Sequence, residues 1–133
     1  MPYLANINEV KKIVDANDAK KNVKDKIYVG ESHECVAVVK YFAKAPQTII
    51  WKKGARVKGN TDIRSGTAIA TFDSRGKFHG HAAIYINQTP AGINVYDQWN
   101  GMDGNGVPLH LRTIPFRGYG YPSNDGDQFY VIE

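Results

Sequence analysis

The chain is poor in cysteine: its 133 residues contain one, Cys35. No internal disulfide can form, so the fold does not depend on an oxidising compartment. No stretch approaches the roughly 18 consecutive apolar residues of a membrane helix, and no membrane insertion is expected. No apolar run follows the first basic residues, so no secretory signal is read. A chain of this kind that acts outside its cell needs another export route, or a signal already removed. There is no internal repeat, no linker and no sign of a second domain, and one domain spanning 1–133 is expected. A basic–aromatic stripe is also missing, so nucleic acid is not an expected partner.

The residues that are present include 42% hydrophobic ones, enough to bury a core at this length. Charge is uneven. Residues 1–60 carry 12 Lys/Arg and 6 Asp/Glu, net +6, whereas residues 61–133 carry 5 and 7, net −2. The basic half favours approach to an anionic partner such as a membrane surface or a cell-wall polymer. Lys11, Lys12, Lys20, Lys21, Lys24 and Lys26 also read simply as a solvated helical face.

The pattern divides near residue 65. Before it the periodicity is helical. Ile7, Val10, Ile13 and Val14 form one apolar face from Asn6, a cap residue, to about Ala16, and this first helix is expected to pack on the next. Residues 17–27 read as a lysine-rich loop. Gly30 interrupts the chain, Ser32 is a good N-cap, and Val36, Val38, Val39, Phe42 and Ala43 follow at helical spacing up to Pro46. Residues 51–57 read as an irregular connector anchored by Trp51. After residue 65 come strand-like runs at 67–72, 81–87, 93–99, 109–116 and 128–132, separated by turns at 73–76 and 88–92 and loops at 100–106 and 118–127. Pro108 and Pro115 limit how centrally the fourth run can pair. Helices followed by strands predict an α+β domain, with N-terminal helices packed on an antiparallel sheet.

Cys35 falls in the first turn of the second helix, where unpaired amides and the helix dipole favour an anion. A lone cysteine is more often a small buried hydrophobe. A cysteine nucleophile needs a histidine base and an orienting partner for that base. His81 opens a strand, and the parity of the 88–92 hairpin decides its partner. With an odd-numbered loop, Asp97 shares the face of His81; with an even-numbered loop, Gln98 does, and a bulge would upset the count. Asp97 is the better partner, because its charge stabilises an imidazolium. Tyr28 is either a core aromatic or points its hydroxyl at the site. His33 and His79 read as exposed. A zinc reading of Cys35, His79, His81 and Asp97 has poor ligand spacing, and no metal or cofactor is expected.

The segments Glu34–Val39, Gly66–Phe72, Gly80–Tyr85 and Ile93–Trp99 together resemble the papain-like, CHAP-type amidases. More closely they are similar to the second family of type VI secretion amidase effectors, which has horizontally acquired relatives in ticks. The resemblance covers roughly 28–133. It implies a peptidoglycan-degrading cysteine amidase or endopeptidase, for which the residues themselves offer Cys35, His81 and Asp97 as the catalytic set, the Cys35 backbone N–H as the nearest oxyanion donor, and Tyr28 or Gln98 as weaker candidates near the oxyanion or substrate. The cross-link between diaminopimelate and D-alanine is the expected bond. It also implies synthesis in the cytoplasm, export through a contractile apparatus, action in a target cell's periplasm and a cognate immunity protein. A leaderless chain with one cysteine is expected on the bacterial side. A non-catalytic cell-wall or protein-binding module on the same scaffold is the alternative, although such a module needs neither a helix-start cysteine nor a strand-start histidine.

Overall fold

The computed structural model describes residues 2–101 and 106–133. The chain runs through α1 (Ile7–Asp18), α2 (Cys35–Ala43), β1 (Lys53–Arg56), β2 (Ala68–Phe72), β3 (Phe78–Thr89), β4 (Gly92–Trp99), β5 (Val107–Pro115) and β6 (Phe129–Ile132). The strands form one antiparallel sheet in the order β1-β6-β2-β3-β4-β5. The α+β expectation therefore matches. Of the loop read at 100–106, residues 102–105 lie outside the described residues.

Both faces of the sheet are buried. On one face Ala68, Ala70, Ala82, Ile84, Tyr96, Leu109 and Ile132 meet Val10 and Val14 of α1 and Val38, Val39 and Phe42 of α2. The alanines of β2 and β3 have no bulk beyond Cβ, so α2 can settle close over β3. On the other face Ile69, Ala83, Tyr85, Ile93, Val95, Ile114 and Phe129 pack with Val57 from the β1–β2 connection. β5 lies at the edge of the sheet, which accommodates Pro108 and Pro115 without loss of central ladder bonds.

Several local expectations are corrected. α1 packs chiefly on β5 rather than on α2, because each helix turns its apolar face down onto the sheet. It also runs two residues past Ala16. Asn17 is buried there and ties the end of α1 to the next segment, accepting from the Ile27 amide (2.8 Å) and donating to the Ile27 and Leu109 carbonyls (3.0 and 2.9 Å). Residues 53–56 of the supposed connector are an edge strand on β6. The N-cap of α2 is Glu34, not Ser32; the Ser32 hydroxyl instead accepts from the Glu34 amide at 3.1 Å, forming a turn ahead of the helix. α2 ends at Lys44, whose left-handed backbone (φ 58°) turns the chain before Pro46.

The β3–β4 hairpin has a two-residue loop, Pro90-Ala91, between paired Thr89 and Gly92. An even-numbered loop by itself would bring Gln98 to the face of His81. A one-residue bulge at Ile86 shifts the register between Tyr85↔Val95 and Asn87↔Asn94 and restores Asp97 to that face.

Candidate active site

Cys35, at the start of α2, and His81, near the start of β3, line one cavity of about 410 Å³. Glu34, Gly80, Trp99, Asn100, Arg112, Ser123 and Asn124 complete its wall. The helix start is set by the 29–34 segment, which approaches α2 closely. Gly30 has a positive φ (+85°), and a Cβ there would lie 2.8 Å from the Ala37 carbonyl oxygen. The same segment is clamped from the sheet by Gln98, which is fully buried. Its Oε1 accepts from the Val29 amide (2.8 Å), and its Nε2 lies within reach of the carbonyls of Val29 (3.0 Å), Glu34 (3.2 Å) and Ser32 (3.3 Å).

His81 is placed by an irregularity in β3. Gly80 has φ +113°, and a Cβ on it would meet the Thr71 hydroxyl at 2.5 Å and Pro122 at 2.7 Å. Thr71 fills the gap in the ladder: its hydroxyl accepts from the His81 amide (3.0 Å) and donates to the His79 carbonyl. The imidazole packs edge-on to Trp99 and Phe129, each with its ring centroid 6.4 Å away.

His81 Nε2 lies 2.7 Å from Oδ2 of Asp97, which has no solvent exposure. That bond leaves Nδ1 for the thiol. Burial would lower the histidine pKa, but the hydrogen bonds and charges of Asp97 and Cys35 overcome it and raise His81 to about 9. Burial likewise works to raise Asp97, but the His81 bond and the nearby charges of Arg112, His81 and His110 hold it below the usual carboxylate range. Cys35 and His81 thus share one cavity, and Asp97 is buried behind His81.

Arg112 was not singled out in the sequence. Its Nε donates to the same Asp97 oxygen at 2.8 Å, one terminal nitrogen donates to the Ser123 carbonyl at 2.8 Å, and its guanidinium lies 5.0 Å from the Trp99 ring centre. It therefore joins Asp97 to the 122–124 turn that walls the cavity. The loop beyond that turn is pinned by buried Asp125, whose Oδ1 accepts from the amides of Arg117, Gly118 and Asp127. On the other side of Asp97, His110 Nε2 lies 3.6 Å from Oδ1, an oxygen with no hydrogen-bond partner among the described residues. His110 pairs with Asp97 across β4 and β5, and Arg112 is two residues further along, on the same face.

Gln98 and Tyr28 are not in the cavity wall. Gln98 is turned to the 29–34 segment. Tyr28 stacks on His33 with 3.8 Å between ring centres and lines a separate hollow with Lys24, Lys26 and His33. His33 and His79 are exposed. Among the described residues, no three His, Cys, Asp or Glu side chains converge as a metal site.

The model of one family, described as Domesticated amidase effector 2, matches residues 5–132. The chain belongs to that family. It is 42% identical over 108 residues to the domesticated amidase effector 2 of the tick Ixodes scapularis, covering 77% of this chain and 72% of the relative. It is 33% identical over 127 residues to a type VI secretion amidase effector 2 protein of Salmonella typhi, covering 85% of this chain and 94% of the relative. A solved structure of a type 6 secretion amidase effector 2 superposes with a TM-score of 0.68 at 28% identity, covering 86% of this chain and 92% of that one. The fold is therefore the papain-like fold of the amidase effectors, as the family resemblance implied.

Proposed function

We propose that this chain is a cysteine amidase that cleaves peptide cross-links of peptidoglycan, at the bond between diaminopimelate and D-alanine, within one domain spanning 1–133. The observation that carries the reading is Cys35 and His81 in one cavity, with Asp97 bonded to His81 from behind, in a member of an amidase effector family. The Cys35 proton resides on His81, and the thiolate attacks the carbonyl carbon of the scissile amide. The backbone N–H of Cys35, at the open end of α2, donates to the developing oxyanion. Protonated His81 then gives its proton to the leaving amine, and the acyl group remains on sulfur as a thioester. Water, deprotonated by the same imidazole, hydrolyses that thioester. Asp97 holds the ring and balances its positive charge; Gln98 holds the loop that carries the nucleophile, and Tyr28 lies in the wall of a neighbouring hollow. The mechanism uses no metal or cofactor.

The chain acts in the periplasm of a target cell after export from the cytoplasm of its producer, which carries an immunity protein against it. The Salmonella typhi relative, named as a type VI secretion effector and covered over nearly its whole length, supports this route. No described helix is long and apolar enough to cross a membrane.

Purified peptidoglycan, digested with wild type and with Cys35→Ala and read by mass spectrometry, tests the reading. Wild type should release fragments opened at the cross-link, and Cys35→Ala should release none while melting at an unchanged temperature. Equal release by the two proteins would overturn the cysteine mechanism; release by neither would leave a binding module.

A further inference from the structure

The two oxygens of the Asp97 carboxylate are served unequally. Oδ2 accepts from His81 at 2.7 Å and from Arg112 at 2.8 Å. Oδ1 is buried and has no hydrogen-bond partner among the described residues. A buried acceptor without a donor is costly, the more so when it carries charge.

One side chain stands next to it. His110 pairs with Asp97 across β4 and β5, and its Nε2 lies 3.6 Å from Oδ1. The other ring nitrogen decides what Nε2 can do. Nδ1 lies 2.8 Å from the Pro108 carbonyl oxygen. A carbonyl only accepts, so Nδ1 carries a proton in both charge states of the ring. Neutral His110 therefore turns a lone pair toward the carboxylate, and charged His110 turns an N–H toward it. Trp99 packs edge-on against the ring, with 5.0 Å between ring centres. Among the described residues, Asp97 is the one acid within ion-pair distance of His110. Arg112 on β5 and His81 on β3 share that carboxylate. The 122–124 turn beside β5 has no ionisable side chain, and α1 packs on the opposite face of the strand, at Leu109.

We propose that His110 is a positioning residue of the site: on taking a proton at Nε2 it donates to Oδ1 of Asp97 and fixes the carboxylate that orients His81. This rests on the amidase reading, in which His81 holds a proton and returns it to the leaving amine. Two effects follow, with the same sign. A carboxylate held at both oxygens cannot swing, so the imidazole bonded to it stays aimed. The charge on His110 also draws on Asp97 and loosens the proton of His81. That histidine is raised to about 9, and a general acid works best when its pKa is near the working pH. Both effects speed the reacting step. His110 is not in the cavity wall, so kcat rather than KM carries them.

Wild type, His110→Gln and His110→Phe are assayed on a soluble cross-linked peptide from about pH 5 to 8, the span over which histidine changes charge. Taking the ratio of wild type to variant cancels the ionisations of Cys35 and His81 themselves. Wild type over His110→Phe, which keeps a ring against Trp99 but has no donor, should rise several-fold in kcat toward the acid end, with KM unmoved. His110→Gln, whose amide donates without charge, should recover part of the loss and show no step of its own. A flat ratio, or one expressed in KM, overturns the assignment. Trp99 fluorescence reads the same proton without turnover. It should be quenched in a step as pH falls in wild type, with no step in His110→Gln, over a constant background from Trp51. The midpoint should move to lower pH in Asp97→Asn, which removes the charge that His110 answers. An absent step in wild type or an unmoved midpoint in Asp97→Asn also overturns it. Failure of wild type to cleave the peptide would sink the amidase reading, and the fluorescence midpoints then decide the His110–Asp97 contact by themselves.

Discussion

The two arms that meet at the cavity are built in opposite ways. On the strand side, His81 is 3% exposed and Asp97 not at all, and between them they are held by Thr71, Arg112, Trp99 and Phe129. On the helix side, Cys35 is half-buried, Glu34 is exposed, and the segment leading to them depends on the Gln98 clamp and the close approach of Gly30. The proposed base is fixed in a buried, charged frame, while the proposed nucleophile is half-buried at the cavity wall. On the proposed mechanism the strand arm sets protonation and the helix arm sets access, so substitutions in the two should fail differently.

The sharpest break is Asp97→Asn. The imidazolium loses its counter-charge while the shape of the frame is kept, and the comparable change in a serine triad costs about ten-thousandfold in turnover. Steady-state kinetics should show the loss in kcat, with KM little changed; a loss confined to KM would contradict the orienting role. Gln98→Ala breaks the other arm. It strands the Val29 amide and carbonyl, at about 1–3 kcal/mol for each buried group left unpaired. Urea denaturation should report that cost. Labelling of Cys35 should become faster or more heterogeneous as the loop loosens, and unaltered stability would show that the clamp is dispensable.

A smaller effect separates the arms by pH. His81 holds its proton more tightly in the folded chain, at about 9 against about 6.5 unfolded. Its contribution to stability is therefore complete below pH 6.5 and is lost as pH rises through 9. Asp97 has the opposite sign: its contribution is present above the ordinary carboxylate range and disappears as pH falls through its lowered value. The stability difference between wild type and His81→Gln should narrow steadily from pH 6 to pH 10, and a constant difference would count against the buried pair. The smallest effect lies outside both arms. Neutralising Lys20, Lys21, Lys24 and Lys26 together should slow digestion of peptidoglycan at low salt and leave it nearly unchanged at high salt, where exposed charge is screened. An identical salt profile would leave those lysines as solubilising groups only.

Legibility followed the same division. Periodicity gave both helices and five of the six strands, because each buries a continuous apolar face. It missed β1, a short edge strand whose Lys-Gly-Ala-Arg sequence has no buried alternation to detect. In the site, Cys35 was legible at a helix start, whereas His81 does not open its strand as expected but lies three residues into β3, which begins at Phe78. Asp97 was one of two alternatives, and the deciding feature was the bulge at Ile86, which leaves no mark in residue type because an isoleucine suits a regular strand equally well. Arg112 stayed hidden because an arginine on an edge strand normally reads as a solvent-facing charge; only pairing with β4 turns it inward. Ser32 has the hydroxyl that suits an N-cap, but it closes the turn before α2 instead, and the cap position falls to Glu34, whose side chain makes no cap bond.

Asp97 and Gln98 are consecutive residues of β4, and their side chains leave the strand in opposite directions, one to His81 and the next to the 29–34 segment ahead of Cys35. Cys35 and His81 are 46 positions apart along the chain, yet the spacing between thiol and imidazole is referenced to a single peptide unit, in the way a machinist cuts two holes from one datum edge. A drift of the strand carries both settings with it, so errors do not accumulate along the intervening helix and turns. Alignment of the reacting pair can thus tolerate bending of the sheet as a whole and is sensitive to distortion at one joint, the bond between residues 97 and 98.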